Sequence, residues 1–166
     1  TEPYSKVFIK NLSSKNKFHS ALKMKLPKKL NFRKYSKDLL KEKFDLIVIA
    51  LSLSGIDFIG KELKDLKIQT SFLVLTKGLK YEKKRKKILT ISEKLNKGFK
   101  IKEISILKGP CLARELAKKN QTSVIIANKN INKAKKLGNM ISTKYYLIEY
   151  SKDTIGVEIS SAIKNI

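Results

Sequence analysis

The chain has 166 residues, a length that fits one domain, and its 42% of hydrophobic residues suffice for a buried core. No apolar run approaches the roughly 20 residues that a membrane span needs, and the polar start predicts no secretory leader. Cys111 is the only cysteine and His19 the only histidine, so the sequence predicts neither a disulfide nor a metal site. These features predict a cytoplasmic protein.

The net charge of +24 is the strongest compositional signal. Such a charge is typical of proteins that bind polyanions, so a small basic nucleic-acid-binding protein is one interpretation. Only three of the 38 basic residues are arginines, however, and arginine is the side chain that best reads phosphates and bases. The lysines are spread along the chain, and only Lys83–Lys87 forms a dense run. We therefore favour a solvated basic surface without a specific nucleic-acid site.

Short β-branched runs alternate with helical patterns along the chain. The predicted strands are Lys6–Lys10, Asp45–Leu51, Ser71–Leu75, Ile101–Leu107, Thr122–Ala127 and Tyr145–Glu149. Six helices are predicted. The first runs from an N-cap at Ser36 to Glu42, the second from Ile56 to Leu66, and the third begins near Tyr81 and includes Ile88, Ile91 and Leu95. The fourth has Pro110 in its first turn and ends at about Lys119, the fifth runs from Ile131 to Ile141, and the last runs from an N-cap at Asp153 to the chain end. This alternation predicts a three-layer α/β fold with a mostly parallel sheet.

Three segments carry residues suited to chemistry. Lys77 and Gly78 follow a predicted strand, at the edge where open α/β sheets bind ligands, although a surface lysine in a tight turn gives the same pattern. Gly109 also follows a strand and precedes a predicted helix start, whose free N–H groups favour an anion. Asp153 begins a helix whose third turn carries Lys164, although helical lysines usually face solvent.

In this order and spacing, the three segments resemble the NAD(P)-dependent glycerol-3-phosphate dehydrogenase family, from about Pro27 to Ile166. The matching residues are Thr76, Lys77 and Gly78 of a Thr/Ser-Lys-Gly motif, Gly109, Pro110, Ala113 and Glu115 of Gly-Pro-x-x-Ala-x-Glu, and Asp153, Gly156, Glu158, Ala162, Lys164 and Asn165 of Asp-x-x-Gly-x-Glu followed by Ala-x-Lys-Asn. Each motif is weak alone, and the three together are fairly specific. The resemblance implies the Rossmann-like, dinucleotide-binding domain of an oxidoreductase.

The resemblance also implies roles for individual residues. Lys164 would exchange a proton with the C2 oxygen of glycerol 3-phosphate, a role that requires burial or a neighbouring positive charge. Lys77 would contact both substrate and coenzyme and stabilise charge on the same oxygen. Gly109 and Cys111 would contact the substrate, and Ala113 the coenzyme. NAD or NADP would exchange a hydride with C2, which interconverts glycerol 3-phosphate and dihydroxyacetone phosphate for glycerophospholipid synthesis.

The chain departs from the family pattern in several ways. It contains no G-x-G-x-x-G, so we expect the family's first strand and Gly-rich loop to be missing, with Lys6–Lys10 as its second strand. Position 111 is usually Ser, Thr or Asn in the family, and here it is Cys111, whose thiol is a weaker hydrogen-bond donor. The missing first strand is normally central, so its neighbours are expected to expose unpaired edges.

The resemblance therefore implies an incomplete enzyme. Residues 1–166 are predicted to be a partial dinucleotide-binding domain, with 153–166 beginning the helix that leads to an absent C-terminal substrate domain. We expect this chain to be inactive in isolation and the intact protein to be able to form a homodimer. A related sugar-phosphate or hydroxy-acid dehydrogenase stays an alternative, and the choice between NAD and NADP stays open.

Overall fold

The computed structural model describes Leu12 and residues 17–64, 70–83 and 86–164. The strands are β1 (Phe18–His19), β2 (Met24–Lys25), β3 (Leu46–Ile49), β4 (Ser71–Val74), β5 (Leu79–Glu82), β6 (Lys87–Thr90), β7 (Ile104–Lys108), β8 (Thr122–Ala127) and β9 (Tyr146–Ser151). The helices are α1 (Gly55–Lys64), α2 (Ile91–Glu93), α3 (Ala113–Ala117), α4 (Ile131–Ile141) and α5 (Thr154–Ile163). A 3-10 turn covers Lys37–Lys41, and a π-helical segment, Lys94–Gly98, continues α2. The predicted strand Lys6–Lys10 lies outside the described residues.

The central sheet contains five of these strands in the order β3-β4-β7-β8-β9. The pairs β3–β4, β4–β7 and β8–β9 are parallel, which confirms the prediction of a mostly parallel sheet. The pair β7–β8 is antiparallel. Between those two strands lies only the five-residue helix α3, which is about 7.5 Å long. That helix is too short to return the chain along a strand, as a parallel connection requires.

Helices cover both faces of this sheet, because its inner strands are apolar on both sides. One face packs against α1 and α2 through Ile56, Ile91 and Leu95. The opposite face packs against α4 through Ala134 and Leu137. Helix α5 lies beside α2 and contacts β7. The three layers confirm the predicted α/β class.

Several predicted elements are confirmed with small shifts of their bounds. Strand β8 and helix α4 have the predicted ends, and the Asp153 side chain caps α5 by accepting a hydrogen bond from the Gly156 N–H at 2.8 Å. The predicted cap at Ser36 is wrong in its detail. Its side chain makes no capping hydrogen bond, and the following residues form the 3-10 turn rather than an α-helix.

The helix predicted to begin near Tyr81 is wrong, since Leu79–Glu82 and Lys87–Thr90 pair as the antiparallel strands β5 and β6. The spacing of Ile88, Ile91 and Leu95 suggested one helical face, but Ile88 is 59% exposed on β6 while the other two are buried. A capping box at Thr90 starts the helix instead. Its hydroxyl accepts from the Glu93 N–H while the Glu93 carboxylate accepts from the Thr90 N–H. The capping box at Thr90 therefore determines where the helix begins, and the apolar spacing upstream of Thr90 does not.

The helix predicted from Pro110 is also shorter than expected. It begins at Ala113, so Pro110 and Cys111 lie in the bend before it, and the Cys111 N–H donates to the Gly109 carbonyl at 3.0 Å. It ends before Lys119, which adopts a left-handed φ of 61°. A single turn of helix aligns few peptide dipoles, so the predicted anion site at a helix start is not supported by this geometry.

Strand β3 occupies one edge of the five-stranded sheet among the described residues. Its sequence, Leu-Ile-Val-Ile, is typical of an inner strand, yet Val48 is an exposed large hydrophobic residue. A strand side chain points out of a face of the sheet, so the exposed Val48 shows that one face of β3 is uncovered. The unpaired edge expected beside the family's first strand stays a prediction. The other edge that was expected to be exposed belongs to Lys6–Lys10 and lies outside the described residues.

Candidate functional site

The carboxyl ends of three parallel strands define the candidate site. Strands β3, β4 and β7 run in the same direction, so their last residues meet at one edge of the sheet. Ligands of open α/β sheets bind at this edge. Just beyond it lie the segment after β3, the turn that contains Lys77 and Gly78, and the bend at Gly109.

The Lys77 turn is held from one side by a buried threonine. The hydroxyl of Thr76 donates to the Leu51 carbonyl at 2.8 Å and accepts from the Leu51 N–H at 3.2 Å. These two bonds join the ends of β3 and β4. Gly78 follows with a φ of +112°, a conformation that L side chains rarely adopt. The Lys77 side chain itself is exposed at the edge, where a ligand can reach it.

From the other side the turn is held by Lys108, the last residue of β7. Lys108 is only 4% exposed, and its ammonium donates to the Leu75 carbonyl at 3.2 Å and to the Thr76 carbonyl. Burial lowers the pKa of Lys108 to about 8, with a smaller lowering from Lys77 and an opposing influence from Glu158. A lysine that keeps its charge near pH 7 but loses its proton well before an exposed lysine does thus lies directly behind the exposed Lys77.

Helix α5 brings Lys164 to the same edge. Strand β9 is parallel to β8, and β8 is antiparallel to β7, so β9 runs opposite to β7. Helix α5 begins beyond the end of β9, and its start therefore lies at the edge where β7 begins. Its ten residues span about 15 Å, enough to follow β7 back to its carboxyl end. Lys164 is the C-cap of the helix and is exposed. The topology therefore places the two predicted reactive lysines, Lys77 and Lys164, at one edge.

A buried carboxylate on α5 belongs to the same region. Glu158 is 2% exposed, and its two oxygens accept hydrogen bonds from the Ser92 N–H, at 3.1 Å, and from the Ser92 hydroxyl. The sequence had used Glu158 only as part of a motif and had not selected Ser92 or Lys108. A signal for Lys108 was present, because it continues the alternation of Ile104 and Ile106, which face the helices on this side.

The remaining predicted contact residues have different surroundings. Gly109 is partly buried, with a φ of +156°, where β7 passes close to the backbone of β8. Cys111 packs against the apolar cluster of Leu73, Leu107 and their neighbours. Ala113 is exposed at the start of α3. Gly109 and Ala113 thus border the edge, while the Cys111 side chain is directed toward apolar residues.

The edge fits part of a dinucleotide. Exposed Lys77 supplies a cation, and the positive φ values at Gly78 and Gly109 allow the backbone to turn sharply there. The chain has no G-x-G-x-x-G turn that would hold a pyrophosphate. Among the described residues, no three His, Cys, Asp or Glu side chains gather as a metal site would require. No described helix is both long and apolar enough to cross a bilayer.

Comparison with known proteins gives one consistent family. Residues 4–134 match the family described as the NAD-dependent glycerol-3-phosphate dehydrogenase N-terminus. The glycerol-3-phosphate dehydrogenase (NAD(P)+) of Clostridium botulinum (strain Alaska E43 / Type E3) is 31% identical over 126 residues, which cover 75% of this chain and 37% of that protein. The protein of the same name from Rickettsia typhi is 36% identical over 126 residues, which cover 74% of this chain and 38% of that protein.

A solved structure shows the same fold. The crystal structure of glycerol-3-phosphate dehydrogenase from Coxiella burnetii superimposes with a TM-score of 0.75 over 95% of this chain and 47% of that chain, at 20% identity. The architecture is therefore that of the Rossmann-fold dehydrogenases. The chain spans less than two-fifths of the length of the two curated relatives above.

Proposed function

Because the chain belongs to the family of the NAD-dependent glycerol-3-phosphate dehydrogenase N-terminus, we propose that it is the coenzyme-binding part of an oxidoreductase that interconverts glycerol 3-phosphate and dihydroxyacetone phosphate. The match over residues 4–134 is the observation that carries the proposal. The placement of Lys77 and Lys164 at one sheet edge supports it. Nothing in the comparisons supports the nucleic-acid-binding alternative, and the lysines of this basic chain then serve mainly as a solvated surface.

In this proposal, each edge residue has a chemical task. Lys77 contacts coenzyme and substrate and stabilises negative charge on the C2 oxygen, while Ala113 borders the coenzyme. Lys164 gives a proton to that oxygen or takes one from it. Gly109 and the backbone of Cys111 lie along the phosphate-bearing substrate, since the Cys111 side chain packs against apolar residues. When bound, NAD or NADP supplies the hydride exchange with C2. The described residues leave both lysines exposed, so substrate, coenzyme and the rest of a longer protein must exclude water from them.

We expect this chain to show no turnover by itself, because it spans only 37% of its Clostridium botulinum relative. The measurement is the absorbance of NADH or NADPH in the presence of glycerol 3-phosphate or dihydroxyacetone phosphate. A longer protein that contains the chain should be active in the same assay. If that protein reduced a hydroxy-acid precursor or another sugar phosphate and left dihydroxyacetone phosphate untouched, the proposed substrate would be wrong. A homodimer and a cytoplasmic location belong to this same proposal.

An apolar stripe on α5 indicates where the rest of a longer relative packs. Ile155, Ile159 and Ile163 recur every four residues on one face of the helix, and each is exposed. The matched family describes the N-terminus of the dehydrogenase, so further protein follows this domain in the relatives. We propose that residues 153–166 begin the connection to that substrate domain, which covers the stripe.

This packing predicts a difference between two contexts. Ile159→Ser should change the free energy of unfolding little in the isolated chain, because the side chain is exposed there. In a longer protein the same change should cost about 1–3 kcal/mol, because it removes a buried aliphatic side chain. Met140→Ser, on the exposed side of α4, is the matched control and should have similar effects in both contexts. Equal effects of Ile159→Ser in both contexts, measured by urea unfolding, would contradict the covered stripe.

A further inference from the structure

The strongest unassigned feature is the buried Lys108, which touches the backbone of the turn that carries Lys77. Its ammonium donates to two successive carbonyls, those of Leu75 and Thr76. Both carbonyls lie beyond the end of β4, where no neighbouring strand pairs with them in the described sheet. A buried carbonyl without a donor is costly, so this ammonium fixes the backbone one residue before Lys77.

Helix α5, whose C-cap is Lys164, packs against β7, whose last residue is Lys108. The charged groups that influence it are Glu158, on α5, and Lys77, at the end of β4. Glu158 is itself held by the N–H and hydroxyl of Ser92, so its carboxylate cannot turn away to solvent. An attraction between Lys108 and Glu158 acts across a buried region, where charges are weakly screened. Because α5 packs against β7, this attraction favours that packing.

We propose that Lys108 is a positioning residue that holds the Lys77 turn and the Lys164 helix in one fixed relation. Its two hydrogen bonds fix the turn, and its buried position on β7, the strand against which α5 packs, places that turn beside the helix. The inference rests on the proposed function for its purpose, since it assumes that both lysines act on one substrate oxygen. The structural part of the inference, that one ammonium links two segments, does not depend on any reaction.

The coupling has a pH dependence. Because burial lowers the pKa of Lys108 to about 8, its ammonium loses a proton in a range where an exposed lysine keeps it. The neutral amine donates weaker hydrogen bonds to the two carbonyls, and it no longer attracts the Glu158 carboxylate. The amides of the turn and of α5 near Glu158 should therefore change their environment together as the pH rises through about 8. Because a Lys108 exposed by opening would keep its proton to a higher pH, this deprotonation favours the closed arrangement over an opened one.

The first experiment follows backbone amides of this chain by NMR as the pH is raised. We expect the Lys77 and Gly78 amides and those near Glu158 to shift with one shared midpoint near pH 8, and amides of α4 to show no such step. Lys108→Met should abolish the step and speed amide hydrogen exchange about tenfold in both segments. Lys108→Arg should keep the slow exchange without the step, because arginine stays charged.

Two outcomes would overturn the coupling. One is a wild-type titration in which the two segments have different midpoints or no step; this measurement needs no variant, so misfolding of Lys108→Met cannot obscure it. The other is a folded Lys108→Met chain whose exchange is unchanged at both segments. Lys135→Met, a change at an exposed lysine on α4, is the matched control. None of these readouts uses substrate or coenzyme, so their failure would leave the proposed function standing.

The reaction itself offers a further readout. In a catalytically competent protein that contains this chain, Lys108→Met should lower kcat about tenfold or more, with a smaller change in KM, because misplaced reactive groups slow the chemical step. Lys108→Arg should recover most of kcat. An unchanged kcat in a folded Lys108→Met protein would refute the positioning role, whereas absence of wild-type turnover would refute the proposed function.

Discussion

Replacing Lys164 by alanine is expected to lower kcat by roughly 10²- to 10⁴-fold, the usual contribution of a positioned proton donor or acceptor. The expectation applies to a catalytically competent protein that contains this chain. Lys164 is the C-cap of α5 and exposed, and in the proposed site it acts on the same ligand as Lys77. Its exposure means that the loss should fall on activity and hardly on stability. Initial rates with dihydroxyacetone phosphate and NADH or NADPH measure it.

The matched control is Lys152→Ala, which removes an exposed lysine near the other end of α5. It should leave kcat within about twofold of the wild type, since it lies far from the carboxyl edge. Lys77→Ala should lower kcat and also weaken substrate and coenzyme binding, because it contacts both in the proposed site. If Lys164→Ala kept most of the wild-type kcat while Lys77→Ala lost it, the proton exchange would have to be assigned to another group.

The parts of the fold that the sequence predicted well are those with strong local patterns. Strand Thr122–Ala127 is a compact β-branched run, and helix Ile131–Ile141 presents Ala134 and Leu137 on one face. Asp153 caps α5 as its residue type and position indicate. In these segments local propensity and tertiary packing agree, so each could be located without knowledge of the rest of the chain.

The hairpin β5–β6 shows where such reasoning fails. Its strands pair Leu79 with Thr90 and Tyr81 with Ile88, and such pairing between two strands leaves no helical or alternating signature that a single short segment would show. An Ile88, Ile91 and Leu95 spacing fits a helix equally well. The direction of β8 was unpredictable for a related reason. It depends on the length of α3, and the early start inferred from Pro110 made that helix seem long enough for a parallel return.

The candidate site was found only in part. The motifs selected Lys77, Gly109 and Lys164, and the topology brings the elements that carry them to one edge. Their roles stay predictions. The motifs did not reveal Lys108, because residue type alone does not separate one buried lysine from 35, and the alternation with Ile104 and Ile106 was the signal that could have marked it. Nor could the sequence show that Ser92 holds Glu158 across 66 positions. Contacts between residues so far apart are set by the packing of whole elements, which local patterns do not encode.

Gly109→Ala is expected to lower the free energy of unfolding by about 3 kcal/mol, because the new β-carbon would clash with a neighbouring backbone and would also strain the φ angle. A β-carbon at Gly109 would lie 2.9 Å from Cα of Val124 and 3.0 Å from the carbonyl oxygen of Ser123, both in the backbone of β8. Its φ of +156° adds strain for any L side chain. Because β7 and β8 are neighbours in the sheet, neither backbone can retreat without loss of ladder hydrogen bonds. Urea unfolding of this chain measures the effect.

Gly98→Ala is the matched control, because a β-carbon there would meet only the flexible side chain of Lys94, at 3.6 Å. That change should be neutral or slightly stabilising, since alanine loses less backbone freedom than glycine on folding. The pair separates two reasons for a glycine at position 109. If Gly109→Ala unfolded like the wild type yet abolished turnover in a longer active protein, the glycine would serve close approach of a ligand. If it lost stability as expected, the packing of β7 against β8 would by itself require glycine at this edge.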